Sequence, residues 1–301
     1  MKYICAQPAT QYFGWQIDVL INSLISNGVF QKDIQIISAV YDSIDPYFNK
    51  LKLKYPYVLF EFYNDTRDYK EYAPSIKQHL LYKHYKKYTY LEQSTIFLVD
   101  ADVAFIRPID FSPLLNDSVW YLSDTNSYLN YDYIISKGID ILNKMIEIAD
   151  IDEELVKVNN KNSGGAQYLI KNIDAEYWNE VVELSHKLYS NISELNNQKV
   201  KNDSEHHPLQ IWTAEMWALL WVAWKRGIET KIDKLLDFCW ATDSIDRWPK
   251  NLIYHNAGVT QDMGDLFFKG KYINDLPDKN LNISVQHCSY NYYQLVKLAL
   301  A

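Results

Sequence analysis

Residues 96–105 read Ile96-Phe97-Leu98-Val99-Asp100-Ala101-Asp102-Val103-Ala104-Phe105. Four large apolar residues in a row fit a strand buried on both faces. Side chains alternate along a strand, so Asp100 and Asp102 at its end are expected to point the same way. Two carboxylates held that close repel unless a cation or a proton lies between them. Open α/β sheets bind ligands at the carboxyl ends of their strands, and a divalent ion there would satisfy both charges. The alternative is an acidic strand-to-loop turn that is simply solvated.

Working outward, Lys2–Cys5 reads as the first strand and Gln7–Tyr12 as a polar loop. Trp15, Val19, Leu20 and Leu24 have helical spacing, and Asn27-Gly28 supplies a stop. Residues 34–40, 58–62 and 119–122 read as further strands, and 75–88 as a helix behind Pro74. Strands alternating with helices predict an α/β fold with a mainly parallel, Rossmann-like sheet flanked by helices. The second half predicts helices over 139–158, 175–195 and 212–225 and short strands over 168–170, 238–241 and 252–255, with an exposed polar loop over 199–208. No repeat, low-complexity tract or clean linker is visible. One continuous domain over 1–270 with a C-terminal extension over 271–301 is therefore expected.

Composition narrows the function. Hydrophobic residues make up 48% of the 301, enough for a substantial core. The 9 Trp, 25 Tyr and 11 Phe can build that core and also offer flat faces to bases and sugar rings. A net charge of −8 argues against a broad nucleic-acid surface, which needs clustered Lys and Arg. Cys5, Cys239 and Cys288 show no metal-ligand spacing, and their odd number fits buried thiols in a reducing compartment. There is no apolar run of about 18 residues, so no membrane span is expected. The polar loop directly after Cys5 argues against a signal peptide, making a soluble cytoplasmic location the expectation.

Three motifs occur in order: Asp100-Ala-Asp102, Asn162-Ser-Gly-Gly-Ala-Gln167 before a strand, and Tyr254-His255-Asn-Ala-Gly258. With them the chain resembles a GT-A-type metal-dependent glycosyltransferase. Trp212-Thr-Ala-Glu215-Met216-Trp217 is similar to the Trp-x-x-Asp/Glu-Met-Tyr helix start of the hydroxyproline O-arabinosyltransferase and peptidyl-serine galactosyltransferase group. The resemblance implies a GT-A fold with a nucleotide-binding half over 1–125 and an acceptor-binding half over 126–270. It also implies a UDP-sugar donor whose departing diphosphate is stabilised by Mn²⁺ or Mg²⁺ acting as a Lewis acid. Asp102 is then a metal ligand, Asp100 a ribose contact or second metal contact, and His255 the other protein ligand. An imidazole favours Mn²⁺ somewhat. The plant members of that group carry membrane anchors, so a microbial or viral enzyme is the more natural expectation here.

The remaining site residues follow from position. Gln7, Pro8, Ala9 and Thr10 follow the first strand and can offer hydrogen bonds to a uridine, with Tyr12 or Trp15 as a stacking face; Trp15 reads equally as a core residue of its helix. Asn64, Asp65 and Arg67 are candidates for the nucleotide or an ordinary polar turn. Lys77, near a helix start, can pair with a phosphate. Asn162 and Gln167 can bond sugar hydroxyls, and the two glycines between them would allow a ligand close to the main chain. The alternative is a turn that happens to contain two glycines. Glu215 is a candidate general base, or an acceptor-orienting or charge-stabilising carboxylate; it also suits a helix first turn electrostatically. Asp124 is a second candidate for substrate contact. The acceptor is open between a glycan, a protein, a lipid-linked sugar and a modified nucleic-acid base. The competing functions are a nucleotide-sugar hydrolase or phosphotransferase, and a non-catalytic carbohydrate-binding protein on the same fold.

Overall fold

Ile34–Val40 is a strand buried along all but its last residue, which is why its sequence shows no polar–apolar alternation. The computed structural model describes residues 1–301. The first elements are β1 (Lys2–Pro8), α1 (Gln11–Ser26), β2 (Ile34–Val40), α2 (Tyr47–Lys54), β3 (Leu59–Asn64), α3 (Ile76–Lys87), β4 (Thr95–Val99) and β5 (Val103–Phe105). Next come β6 (Trp120–Ser123), α4 (Asn126–Leu129), α5 (Tyr131–Lys137), α6 (Ile139–Ala149), α7 (Glu153–Val158), β7 (Gly165–Lys171) and α8 (Ala175–Asn202). The chain ends with α9 (Ala214–Lys225), β8 (Thr230–Ile232), β9 (Phe238–Trp240), β10 (Ile253–His255) and α10 (Cys288–Ala299).

The fold is α/β, as the alternation of elements predicts. A central sheet has the strand order β3-β2-β1-β4-β7-β6-β8, and a small one the order β5-β10-β9. Strands β1–β2, β2–β3 and β6–β8 pair in parallel, and β6–β7 antiparallel. No helix is long and apolar enough to cross a membrane. The contacts divide the chain into two units, one of residues 1–64, 97–113 and 234–301, the other of 65–96 and 114–233.

In the first unit, α1 packs on α2, β5 and α10. Its end is fastened by side chains: Asn27 Nδ2 donates to Ser23 O (2.8 Å) and Phe105 O (2.9 Å), and Phe105 N donates to Ser23 Oγ (3.1 Å). Gly28 follows at φ +90°, a conformation that favours glycine and turns the chain out of the helix. Residues 288–299, which carry no clear helical signal, form α10. Its Tyr292 is stacked on Tyr254, with centroids 4.9 Å apart.

In the second unit, α8 packs against α3, α6 and α9. Every residue of α9 from Ala214 to Trp224 is buried, so its tryptophans are core. Two of the indole N–H groups have partners: Trp217 donates to Leu129 O (2.8 Å) and Trp224 to Thr230 Oγ1 (2.9 Å). The single helix expected over 139–158 is two. Asp150 takes a left-handed conformation at φ 48°, and Asp152 caps α7 by accepting from Glu154 N. Helix α8 continues to Asn202, so the polar residues 199–202 are its last turn rather than a loop.

Candidate active site

The Asp-Ala-Asp pair stands in a turn rather than on a strand. β4 ends at Val99, Ala101 and Asp102 form the turn, and β5 starts at Val103. What brings His255 to it is the pairing of β5 with β10. In that antiparallel register His255 lies opposite Val103, and Asn256 N extends the ladder by donating to Asp102 O at 2.9 Å. The strands have three residues each, too short for a periodic signal, yet they set the site.

The ligand atoms of Asp100, Asp102 and His255 all lie within 4.8 Å of one another. His255 Nε2 is 3.3 Å from Asp102 Oδ1. Its ring lies parallel to that of Trp240, the residue opposite it on β9, at 6.1 Å between centroids. Phe238 adds a tilted contact at 5.5 Å. Gln7, near the end of β1, reaches the group through Nε2, 3.3 Å from Asp100 Oδ1.

A fourth residue joins them. The ammonium of Lys269, on a 3-10 turn over Lys269–Lys271, donates to Asp102 Oδ2. Asp102 is only 6% exposed. Burial pushes its carboxyl up, but the cationic Lys269 and the His255 imidazole overcome this and hold it well below the usual carboxylate range. Burial raises the Tyr12 phenol; Lys269 opposes that shift and Asp102 adds to it. Lys269 carries no sequence signal, because it stands in an irregular stretch with no pattern or motif.

Two carboxylates and an imidazole are a donor set that suits Mn²⁺ or Mg²⁺, and the ammonium already drawn to Asp102 shows that the site favours positive charge. Beside it, the buried Asn256 carries an Nδ2 with no hydrogen-bond partner, a donor suited to an oxygen-rich ligand.

The other first-unit candidates have defined places. Thr10 precedes α1, and its carbonyl accepts from Gly14 N at 2.9 Å. Ala9 has both backbone groups paired, donating to Ala39 O (2.8 Å) and accepting from Asp45 N (3.0 Å). Trp15 is fully buried, with its indole N–H on Tyr272 O at 3.2 Å; it is core, not a stacking face.

The second unit holds the remaining candidates. Glu215, in the first turn of α9, is 6% exposed. Its Oε2 accepts from the Tyr72 hydroxyl, its Oε1 lies 3.3 Å from Lys77 Nζ, and its backbone N–H donates to the Tyr72 hydroxyl oxygen at 2.9 Å. Burial, and then the Glu215 charge, push the Tyr72 phenol far up. Lys77 is thus a partner of Glu215, and Tyr72 a second partner that no motif announced. Asp124 is exposed and accepts from Asn126 N at 3.0 Å, opening α4.

The Asn162 main chain and the Gln167 side chain are held by the protein itself. The Asn162 carbonyl accepts from Thr230 Oγ1 at 3.2 Å, and Gln167 Oε1, fully buried, accepts from Ser123 Oγ at 2.6 Å. The glycines between them serve the protein's own packing. A Cβ on Gly164 would lie 2.5 Å from Leu122 Cβ and 2.7 Å from Ser123 O, where the β6–β7 register shifts. A Cβ on Gly165 would lie 2.2 Å from the end of Met216. Asp65 and Arg67 form a buried ion pair at 2.9 Å, and Arg67 also donates to Tyr72 O and Ser75 Oγ; this is a closed structural turn.

No protein-family profile and no curated protein sequence matches the chain. Solved structures that match it include mouse xyloside xylosyltransferase 1, at 10% identity over 85% of this chain and 96% of that one, with a TM-score of 0.43. The bifunctional glycosyltransferase WbbM matches at 11% identity over 98% of this chain and 51% of that one, with a TM-score of 0.48. GlyE of Streptococcus pneumoniae TIGR4 matches at 10% identity over 98% and 60%, with a TM-score of 0.44. The chain spans about half the length of WbbM and 60% of that of GlyE.

Proposed function

We propose that the protein is a metal-dependent glycosyltransferase that moves a sugar from a UDP-sugar to an acceptor hydroxyl. One observation carries the reading: Asp100, Asp102 and His255, from two distant stretches of sequence, offer two carboxylates and an imidazole within 4.8 Å. Asp100, Asp102 and His255 would hold Mn²⁺ or Mg²⁺, which when bound supplies positive charge to a diphosphate leaving group. Gln7 holds Asp100 in place, Trp240 holds the His255 ring, and Lys269 adds a second cation suited to phosphate oxygens. Thr10 and Tyr12 border the donor's base or ribose.

In the second unit, Glu215 is the proposed acceptor-orienting or charge-stabilising carboxylate. Both of its oxygens are engaged, by Tyr72 and Lys77, which favours that role over taking a proton. Asn162 and Asp124 are proposed as polar contacts of the substrate region, and the buried Gln167 as a support of the β6–β7 pair. Donor sugar, acceptor and anomeric outcome are to be read from products. The test is product analysis with a panel of UDP-sugars and Mn²⁺, with and without acceptors: glycans, hydroxyproline and serine peptides, and nucleic acid. Transfer of sugar to an acceptor supports the proposal. Free sugar as the sole product with every acceptor would replace it with hydrolysis.

A further inference from the structure

We propose that Lys269 is a tethered counter-ion of the metal-free site, so that Lys269 on Asp102 and a divalent cation on Asp102 exclude one another. This rests on the metal reading of Asp100, Asp102 and His255 and adds how the site is kept until it is loaded.

The geometry divides the Asp102 carboxylate between two partners. His255 Nε2 faces Oδ1 at 3.3 Å, and the Lys269 ammonium takes Oδ2. A carboxylate this deeply buried needs compensation, and with Asp100 in the same group the site would hold two negative charges without Lys269. The ammonium therefore stabilises the chain before any ion arrives. It also occupies one oxygen of the carboxylate that an ion would bind, beside the oxygen that faces His255. A divalent ion and an ammonium on one buried carboxylate would be crowded and would repel strongly in a poorly solvated place.

The lysine stands on a short turn of three residues that contains Gly270, and its side chain is 28% exposed. A four-carbon stem on such a turn can swing without disturbing β5 or β10. A diphosphate gives the freed ammonium a new anionic partner, so metal and nucleotide should bind cooperatively. Metal alone must displace Lys269 into solvent, whereas metal with nucleoside diphosphate does not.

Mn²⁺ binding followed by the EPR signal of the free ion tests this, on the full chain, with and without UDP. Lys269→Met should bind Mn²⁺ at least tenfold more tightly than the natural chain in the absence of UDP. It should also lose most of the gain that UDP confers. Lys269→Arg should behave like the natural chain. In case Lys269→Met does not fold, reductive ¹³C-methylation of the natural chain gives a second readout. The Lys269 methyl resonance, assigned with Lys269→Arg, should shift on titration with Mg²⁺ alone. An affinity in Lys269→Met equal to or weaker than that of the natural chain, with Asp102→Ala abolishing binding, would overturn the counter-ion role and leave the metal site standing. An unmoved Lys269 resonance would do the same. No Mn²⁺ binding by any variant, with or without UDP, would instead overturn the metal site itself.

Discussion

His255 Nε2 stands 3.3 Å from Asp102 Oδ1 because β5 and β10 pair with Val103 opposite His255. On the proposed metal reading the two side chains form one donor set. Replacing either with alanine should weaken Mn²⁺ affinity by at least about tenfold, since even residues that merely orient ligands are worth that much. Trp240→Ala, which removes the ring lying against His255, should weaken it less. Metal titration of the three variants, with far-UV CD to check the fold, measures the order.

Glu215 separates a functional loss from a structural one. Glu215→Ala leaves the buried Tyr72 hydroxyl and the Lys77 ammonium without their carboxylate and should destabilise by about 1–3 kcal/mol. Glu215→Gln keeps an acceptor for Tyr72 and should stay nearer the natural stability while transfer falls by about a hundredfold or more. Urea unfolding and initial rates on the same preparations decide it. Full activity in Glu215→Gln would remove the carboxylate from the proposed chemistry.

The paired glycines should differ although they are neighbours. Gly164→Ala drives a Cβ into the Leu122 Cβ and the Ser123 carbonyl, neither of which can swing away, and should cost about 1–3 kcal/mol. Gly165→Ala meets chiefly the tip of a flexible methionine, with the Thr125 and Tyr168 hydroxyls at 3.1 Å, and should cost less than Gly164→Ala. Thermal unfolding of the two variants compares them directly. Equal costs would mean that the bulge is not what requires glycine.

Much of this was legible in the sequence, for reasons that differ by residue. β4 and the Asp pair could be read because a doubly buried strand leaves an unbroken apolar run, and carboxylates at its end stand out. His255 could be placed by motif order alone, since a three-residue strand leaves no periodicity. Lys269 and Tyr72 could not be found. Both act through side chains that reach their partners from turns, and only the folded chain brings them there. Trp15 and the glycine pair show the converse: residue types that suit ligands are used here for the core and for a β-bulge. α10 was missed because its Ser-Tyr-Asn-Tyr-Tyr start mixes polar and aromatic residues, and no side chain caps it.

Stability in the second unit should fall in mild acid. Burial and the nearby Lys83 cation hold the His79 imidazole down to about 4. Burial and the Arg67 guanidinium do the same for His186, also to about 4. An unfolded histidine titrates near 6.5, so below that value the unfolded chain takes up protons that the folded chain refuses. The contribution is whole above about pH 6.5 and is lost progressively as pH falls towards 4. Unfolding midpoints measured from pH 7.5 to 4.5 should decline over this window, and the double variant His79→Gln, His186→Gln should flatten the decline.

The most direct measurement is the thermal unfolding of the chain with nucleoside diphosphates in the presence and absence of Mn²⁺. UDP at about a hundred times its Kd should raise Tm by roughly 5 °C with Mn²⁺. Much less rise is expected in EDTA, and almost none with Asp102→Ala. A response to adenine or guanine nucleotides with none to UDP would contradict it, as would a UDP shift that persists unchanged in EDTA and in Asp102→Ala.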